Sequence, residues 1–167
     1  MSFGSLKQVV IVTVGIAAGA CGQIPKDYRG TFVDQASGFR VELKASEGKW
    51  IRPDGSQESF SAKAVGVAEL DQGQPGIYMR STGGDQLEVF WVRPKPESRR
   101  EEYGFVALEA EVVYTRLDAK SAGPVSAVLA RHCERGQVLI DRVSQSFNGG
   151  CPADSRIMEL VRVRSPK

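Results

Sequence analysis

The sequence predicts an all-β fold, an antiparallel barrel or sandwich of about eight to ten short strands. Three observations point there. Apolar and polar residues alternate with period two over short runs. Turn-forming residues interrupt those runs roughly every 8–12 residues. No heptad, internal repeat or low-complexity segment competes with that pattern. The 167-residue chain is 41% hydrophobic and 25% charged, the size and composition of one globular domain.

Taken in order, the first strand is YRGTFVD, from Tyr28, closed by QASG. In FRVELKA, Phe39, Val41 and Leu43 alternate with Arg40, Glu42 and Lys44, which gives a strand with one buried face. SEG turns the chain into KWIR. PDG, Pro53 to Gly55, is a turn with a mechanism: proline fixes φ, aspartate bonds nearby backbone, and glycine takes positive φ. SFSAKAVGVAEL continues as strand with Gly66 as a bulge or bend. DQGQPG turns again, and IYMRS and QLEVFWV pair as a hairpin around TGGD.

RPKPESRREE, Arg93 to Glu102, reads as a polar, proline-containing loop. YGFVALEAEVVYTRL, Tyr103 to Leu117, alternates well, and its buried face is expected to switch at a bulge near Ala110. PVSAVLARHCERG leaves two readings open. Pro124 fits a first helical position, Gly136 fits a C-terminal cap, and Val125, Val128, Leu129 and His132 lie at helical spacing, which favours a short helix near 124–135. A strand VSAVLARHC turning at ERG into QVLID is nearly as good. RIMELVRVR, Arg156 to Arg164, is the last strand, with Ile157, Glu159, Val161 and Val163 on one side and Met158, Leu160 and two arginines on the other.

The N-terminus carries an address. Lys7 precedes the apolar run Val9 to Ala18, and the small residues Ala18 to Ala20 follow it. This is the charged, apolar and cleavage-site pattern of a secretory signal, and the run is too short to span a bilayer, which takes about 20 residues. Residues 1–20 are thus read as a signal peptide, 21–27 as a tether, and 28–167 as a single β-rich domain.

AGAC, Ala18 to Cys21, resembles the lipobox of bacterial lipoproteins; Gly19, Ala20 and Cys21 fit it, and Ala18 stands where that family favours leucine. The resemblance covers the first 21 residues. It implies that Cys21 becomes the mature N-terminus, carries the lipid and makes the membrane the first partner, held by more than one acyl chain as stable anchoring requires. Gly22, rather than aspartate, follows the cysteine, which by the same resemblance implies the outer membrane, facing the periplasm. Cleavage at an ordinary Ala-x-Ala site would cut the same bond and leave the thiol free.

With Cys21 acylated, Cys133 and Cys151 remain as an even pair in an oxidising compartment, where a disulfide is expected. It closes a loop of about 18 residues, worth about 3 kcal/mol by chain entropy. There is no Cys-x-x-Cys, so redox chemistry is not indicated.

The rest of the chain is sparse in chemistry. Lys and Arg number 22 against 20 Asp and Glu, too even a balance to indicate a nucleic-acid partner. Three cysteines and one histidine offer little for a soft-metal site. His132 reads as a packing or surface residue, and no Gly-x-Ser-x-Gly elbow is present. Glu109 and Glu111, two apart on one strand, share a face about 7 Å apart and read as solvated carboxylates rather than a glycosidase pair. No catalytic residue, metal site or cofactor is assigned. Lys95, Arg99 and Arg100 on the Arg93–Arg100 loop are the candidate contacts for an anionic partner, with Glu97, Glu101 and Glu102 beside them to neutralise their charge. Trp50, Phe90, Trp91 and Tyr103 would fill the core or line a ligand cavity.

YRGTF near the start and the arginine-bearing last strand resemble the ends of lipocalin-like barrels, with Phe32 where that family carries tryptophan. Three functions follow as expectations. The first is a non-enzymatic envelope lipoprotein serving as a structural or interaction module. The second is a small-ligand-binding barrel. The third is an inhibitor of a periplasmic hydrolase, on an architectural likeness to the small disulfide-stapled lysozyme inhibitors.

Overall fold

The computed structural model describes residues 22–82, 86–118 and 127–163. Among them ten strands form one antiparallel sheet: β1 (Gly30–Asp34), β2 (Arg40–Leu43), β3 (Glu47–Ile51), β4 (Gln57–Ser61), β5 (Gly76–Ser81), β6 (Gln86–Glu102), β7 (Phe105–Asp118), β8 (Ala127–Asp141), β9 (Ser146–Gly150) and β10 (Arg156–Val163). Their order across the sheet is β4-β3-β2-β1-β10-β8-β7-β6-β5, with β9 on β8. The fold is all-β, as the alternation predicts. The ladder is not closed, but the chain just past β4 reaches β5 through one parallel bridge, Ala64 to Ile77. There Val65 N–H donates to the Ile77 carbonyl at 3.2 Å and Ile77 N–H donates to the Lys63 carbonyl at 3.0 Å.

Two apolar cores share this sheet. The first holds Phe32, Phe39, Val41, Trp50, Ile77, Val89, Trp91, Val113, Met158 and Leu160, drawn from β1, β2, β3, β5, β6, β7 and β10. The second holds Leu70, Phe90, Val92, Val106, Leu108, Val112, Cys133, Val138, Ile140 and Phe147. Val89 and Trp91 belong to one core while Phe90 and Val92 belong to the other, so the middle of β6 is buried on both faces. Phe90 and Trp91 therefore fill cores, as does Trp50. The second core is covered by β9 and by α1 (Val67–Asp71), a single helical turn. Gly66 leads into α1, its N–H donating to Glu69 at 3.1 Å, and is not a strand bulge.

Several expected elements stand. The PDG turn is held by Arg52 N–H donating to the Ser56 carbonyl at 2.9 Å. Ser56 N–H donates to Asp54 at 2.8 Å, and Gly55 has φ +82°. A register shift does fall between Ala110 and Val112, but the extra residue is on β8, between Cys133 and Gly136. The even-numbered face of β7 stays in the second core on both sides of it, so the expected switch of face does not occur. On β10 the Met158 and Leu160 side is buried, whereas Ile157 is exposed.

Two elements differ from expectation. Residues 127–135 are strand, part of β8, not helix; 124–126 lie outside the described residues. The strand wins because β8 has β10 on one side, Arg156 opposite His132, and β7 on the other, Val113 opposite His132. Gly136 is accordingly no helix cap. It sits in the β8 bulge, where a Cβ would lie 2.8 Å from Val112, 2.9 Å from the Cys133 sulfur and 3.1 Å from the Gly150 carbonyl. Residues 93–102 are likewise strand rather than loop. β5 ends its pairing at Gly76 opposite Val92, so beyond that point β6 pairs with β7 alone. An edge strand tolerates proline, which has no N–H to donate, and Pro94 lies there opposite Ala110.

The stretch read as a tether is docked. Ile24 is fully buried in the first core, its N–H donates to the Ala45 carbonyl at 2.8 Å, and the Arg29 guanidinium donates to its carbonyl at 2.7 Å. Ala45 follows β2, so the N-terminus leaves the domain at the Gly30, Leu43 and Gln86 end of the strands.

Candidate functional site

The most developed polar constellation centres on Glu111. The even-numbered residues of β7 face the second core along the strand, and from Glu111 onward its odd-numbered face is buried as well. Val106, Leu108, Ala110 and Val112 face the second core, and Glu111, Val113 and Thr115 are buried on the opposite side. Glu111 is thus 2% exposed, while Glu109, two residues earlier on the same side, is exposed. Burying a charge without partners is prohibitive, and the fold supplies them. Arg52, just past β3, donates to its carboxylate at 3.1 Å. Arg93 on β6 donates through Nε at 3.0 Å and also through Nη2. His132 Nε2 lies 3.1 Å from Oε1.

The network extends outward. Arg93 also donates to Glu58 at 2.6 Å, and the Arg156 guanidinium lies 3.0 Å from His132 Nδ1. A guanidinium can only donate, so Nδ1 is the acceptor and the proton sits on Nε2, which donates to Glu111. Phe39 packs against the imidazole, tilted by 30°, at 4.4 Å between centroids.

Burial pushes the Glu111 carboxyl up, but the hydrogen bond from His132 and the guanidiniums of Arg93 and Arg52 outweigh it and hold it down at about 2. For Arg93, burial lowers the guanidinium's affinity for its proton, and Glu111 and Glu58 raise it further than burial takes away. A carboxylate ionised through the whole neutral range, with its oxygens accepting from two arginines and an imidazole, is suited to holding strands together rather than to moving a proton. His132, read as a packing or surface residue, is buried and packs on Phe39; the expectation that Glu111 is solvated is corrected here. Counting by two from Val113 and Thr115 puts both Glu111 and Glu109 on their face, and nothing local in the sequence separates the buried one from the exposed one.

A second buried carboxylate, Glu88, lies on the opposite face of β6. Arg80 Nε donates to it at 2.7 Å and the Tyr114 hydroxyl at 2.6 Å, with Arg116 at 3.4 Å. Burial raises its carboxyl, and these donors bring it below the ordinary value.

The disulfide joins Cys133 and Cys151 with 5.6 Å between their Cα atoms. It ties the segment after β9 to the β8 bulge opposite Glu111. Cys21 lies outside the described residues. Of the anionic-partner candidates, Lys95 sits on β6 opposite Glu109. Arg99 donates to Asp71 at 3.1 Å and also pairs with Glu101. Arg100 is exposed and lines a groove of about 260 Å³ with Ser98, Glu109 and Arg135. Lys95 and Arg100 flank a register shift in β6, with Arg99 inside it. Ser98 bridges the shift, accepting from Glu109 N–H at 2.7 Å and donating to the Lys95 carbonyl at 2.6 Å. Tyr103 is neither core nor cavity lining: it is 90% exposed. Among the described residues no group of three or more His, Cys, Asp or Glu is placed to hold a metal ion.

No family model matches the chain, and neither a curated protein nor a solved structure does.

Proposed function

We propose that the chain is an exported, lipid-anchored envelope protein whose β-domain is a non-enzymatic interaction module. The observation that carries this reading is the cysteine arithmetic. Cys133 and Cys151 are within bonding distance of one another in the fold, which leaves Cys21, at the end of a signal-like segment, as the unpaired thiol for acylation. The docking of Ile24 adds to it, because only a few residues then separate Cys21 from the rigid body, as suits a protein seated close to a bilayer. Radiolabelled palmitate is expected to enter the wild-type chain and not Cys21→Ser; an unlabelled wild type would end the anchor reading.

A second reading, a small-ligand-binding barrel, is favoured by one observation. The indole N–H groups of Trp50 and Trp91 are buried in the first core with no acceptor, each at a cost of about 1–3 kcal/mol if left unpaired. Arg162 lies over the Phe32 ring at 5.1 Å, linking the two ends that resemble those of lipocalin-like barrels. An apolar molecule with an acceptor oxygen would satisfy the indoles. Solvent extraction of the purified protein followed by mass spectrometry is the check, and the absence of a stoichiometric small molecule would set this reading aside.

A further inference from the structure

At the opposite end of the long strands, the fold presents an aromatic tip that it does not need. Glu102 pairs with Phe105, so Tyr103 and Gly104 form a two-residue hairpin loop. Both have positive φ, +50° and +81°, the combination of a type I′ turn, for which Asn-Gly or Gly-Gly is preferred. A bulky side chain in that region costs about 1–2 kcal/mol. Tyr103 does not recover this by packing, because it is 90% exposed. Beside it stands Val143, 88% exposed, on the β8–β9 turn, and Phe105 is 47% exposed. The two turns touch: Arg142 N–H donates to the Gly104 carbonyl at 3.2 Å, and a Cβ on Gly104 would lie 3.8 Å from Val143. The tip is rigidly braced, since the Arg142 guanidinium grips Asp71 and Glu101 at 3.0 Å each and Arg99 also holds Asp71. Strain and exposed aromatic surface on one residue, with no return to the fold, point to a contact outside the chain.

We propose that this tip, Tyr103 with Val143 and Phe105, is the contact face for a protein partner that receives the Tyr103 ring in an apolar pocket. A rigid tyrosine flanked by arginines is the composition of an interface hot spot. The alternatives fit less well. β6 has 17 residues, and its first residue lies at the end where Ile24 docks, so the tip stands about 50 Å from the point where the chain leads to Cys21. That separation, which rests on the anchor reading, aims the tip away from the anchoring bilayer. Arg99 and Arg142 beside the tip are taken up by Asp71 and Glu101, and Glu102 and Asp141 adjoin them, so the tip offers no excess of cationic charge for anionic headgroups. A symmetric pair of copies would meet tip to tip, and two hairpin tips cannot bury the roughly 1,000 Å² of a specific interface.

The test is photocrosslinking of the full chain in its native envelope, with benzoylphenylalanine at position 103 and, as control, at Leu129, 68% exposed on the sheet face. Position 103 is expected to give one discrete protein adduct that position 129 does not. The partner identified from it, once purified, should bind wild type and lose at least tenfold in affinity for Tyr103→Asn. That variant should melt about 2–4 °C higher than the parent, because the turn is relieved, so its loss of binding cannot be misfolding. The proposal is overturned by no adduct at 103, by the same adduct from both positions, by an adduct to lipid or to a second copy, or by Tyr103→Asn binding at full strength or melting no higher. The crosslink is repeated in Cys21→Ser, so the tip stands or falls there whatever palmitate labelling says of the anchor.

Discussion

Glu111 and Glu88 are both buried carboxylates held by arginines, yet they are assembled in different ways. Glu88 takes its partners from the strands beside it: Arg80 and Arg116 are its directly opposed neighbours on β5 and β7, and Tyr114 is one diagonal away. Glu111 also takes its directly opposed neighbour, Arg93 on β6, and a diagonal one, His132 on β8, but adds Arg52, 59 residues away and just past β3. The first cluster is a by-product of strand register. The second shares that origin and gains Arg52 only when the sheet has curved round to bring β3 to β6 and β7. Glu111 therefore reports on the tertiary fold through Arg52, and Glu88 on the local ladder.

That contrast can be broken by mutation. The largest effect is expected for Glu111→Ala, which leaves two guanidiniums and an imidazole without their carboxylate and should cost about 3–5 kcal/mol, the usual penalty for removing one partner of a buried ion pair. Denaturant unfolding measures it. Glu88→Ala should cost less, about 1–3 kcal/mol, because Arg80 keeps the Phe147 carbonyl at 3.1 Å and Arg116 is open to water. Equal losses would erase the distinction drawn here.

The smallest and sharpest difference is in pH dependence. Glu111 has a folded pKa of about 2 against an ordinary 4.5. A depressed carboxylate stabilises the fold fully above its unfolded value and loses that contribution as pH falls through the folded one. Stability should therefore drop between about pH 4.5 and 2, and the drop should be shallower in Glu111→Gln than in Glu88→Gln. Urea midpoints across that range decide it, and identical slopes in the two variants would show that Glu111 does not dominate.

Particular residues show why parts of the molecule were legible in the sequence. Phe39, Val41 and Leu43 alternate because they line one face, and that face is buried in the fold. The PDG turn acts through its own three residues. Cys133 and Cys151 could be paired by counting. What misled was context. Pro94 and the charges after it look like a loop because no local rule says that β5 stops short and leaves β6 an edge. Val128, Leu129 and His132 match a helical period, but the strands flanking them override the local preference, as tertiary pairing commonly does. Leu129 ends in solvent and His132 inside.

The sequence by itself determined the all-β class, most strand positions, the PDG turn and the cysteine pairing, since each depends on backbone preference, period-two burial or counting within a short span; the TGGD turn lies partly outside the described residues. Only the tertiary structure decided that β6, β7 and β8 each serve two cores, that Glu111 rather than Glu109 is the buried carboxylate, and that Tyr103 is left in water. These depend on which surface lies across from a residue. Alternation specifies the two faces of a strand but carries no information on what each face will meet.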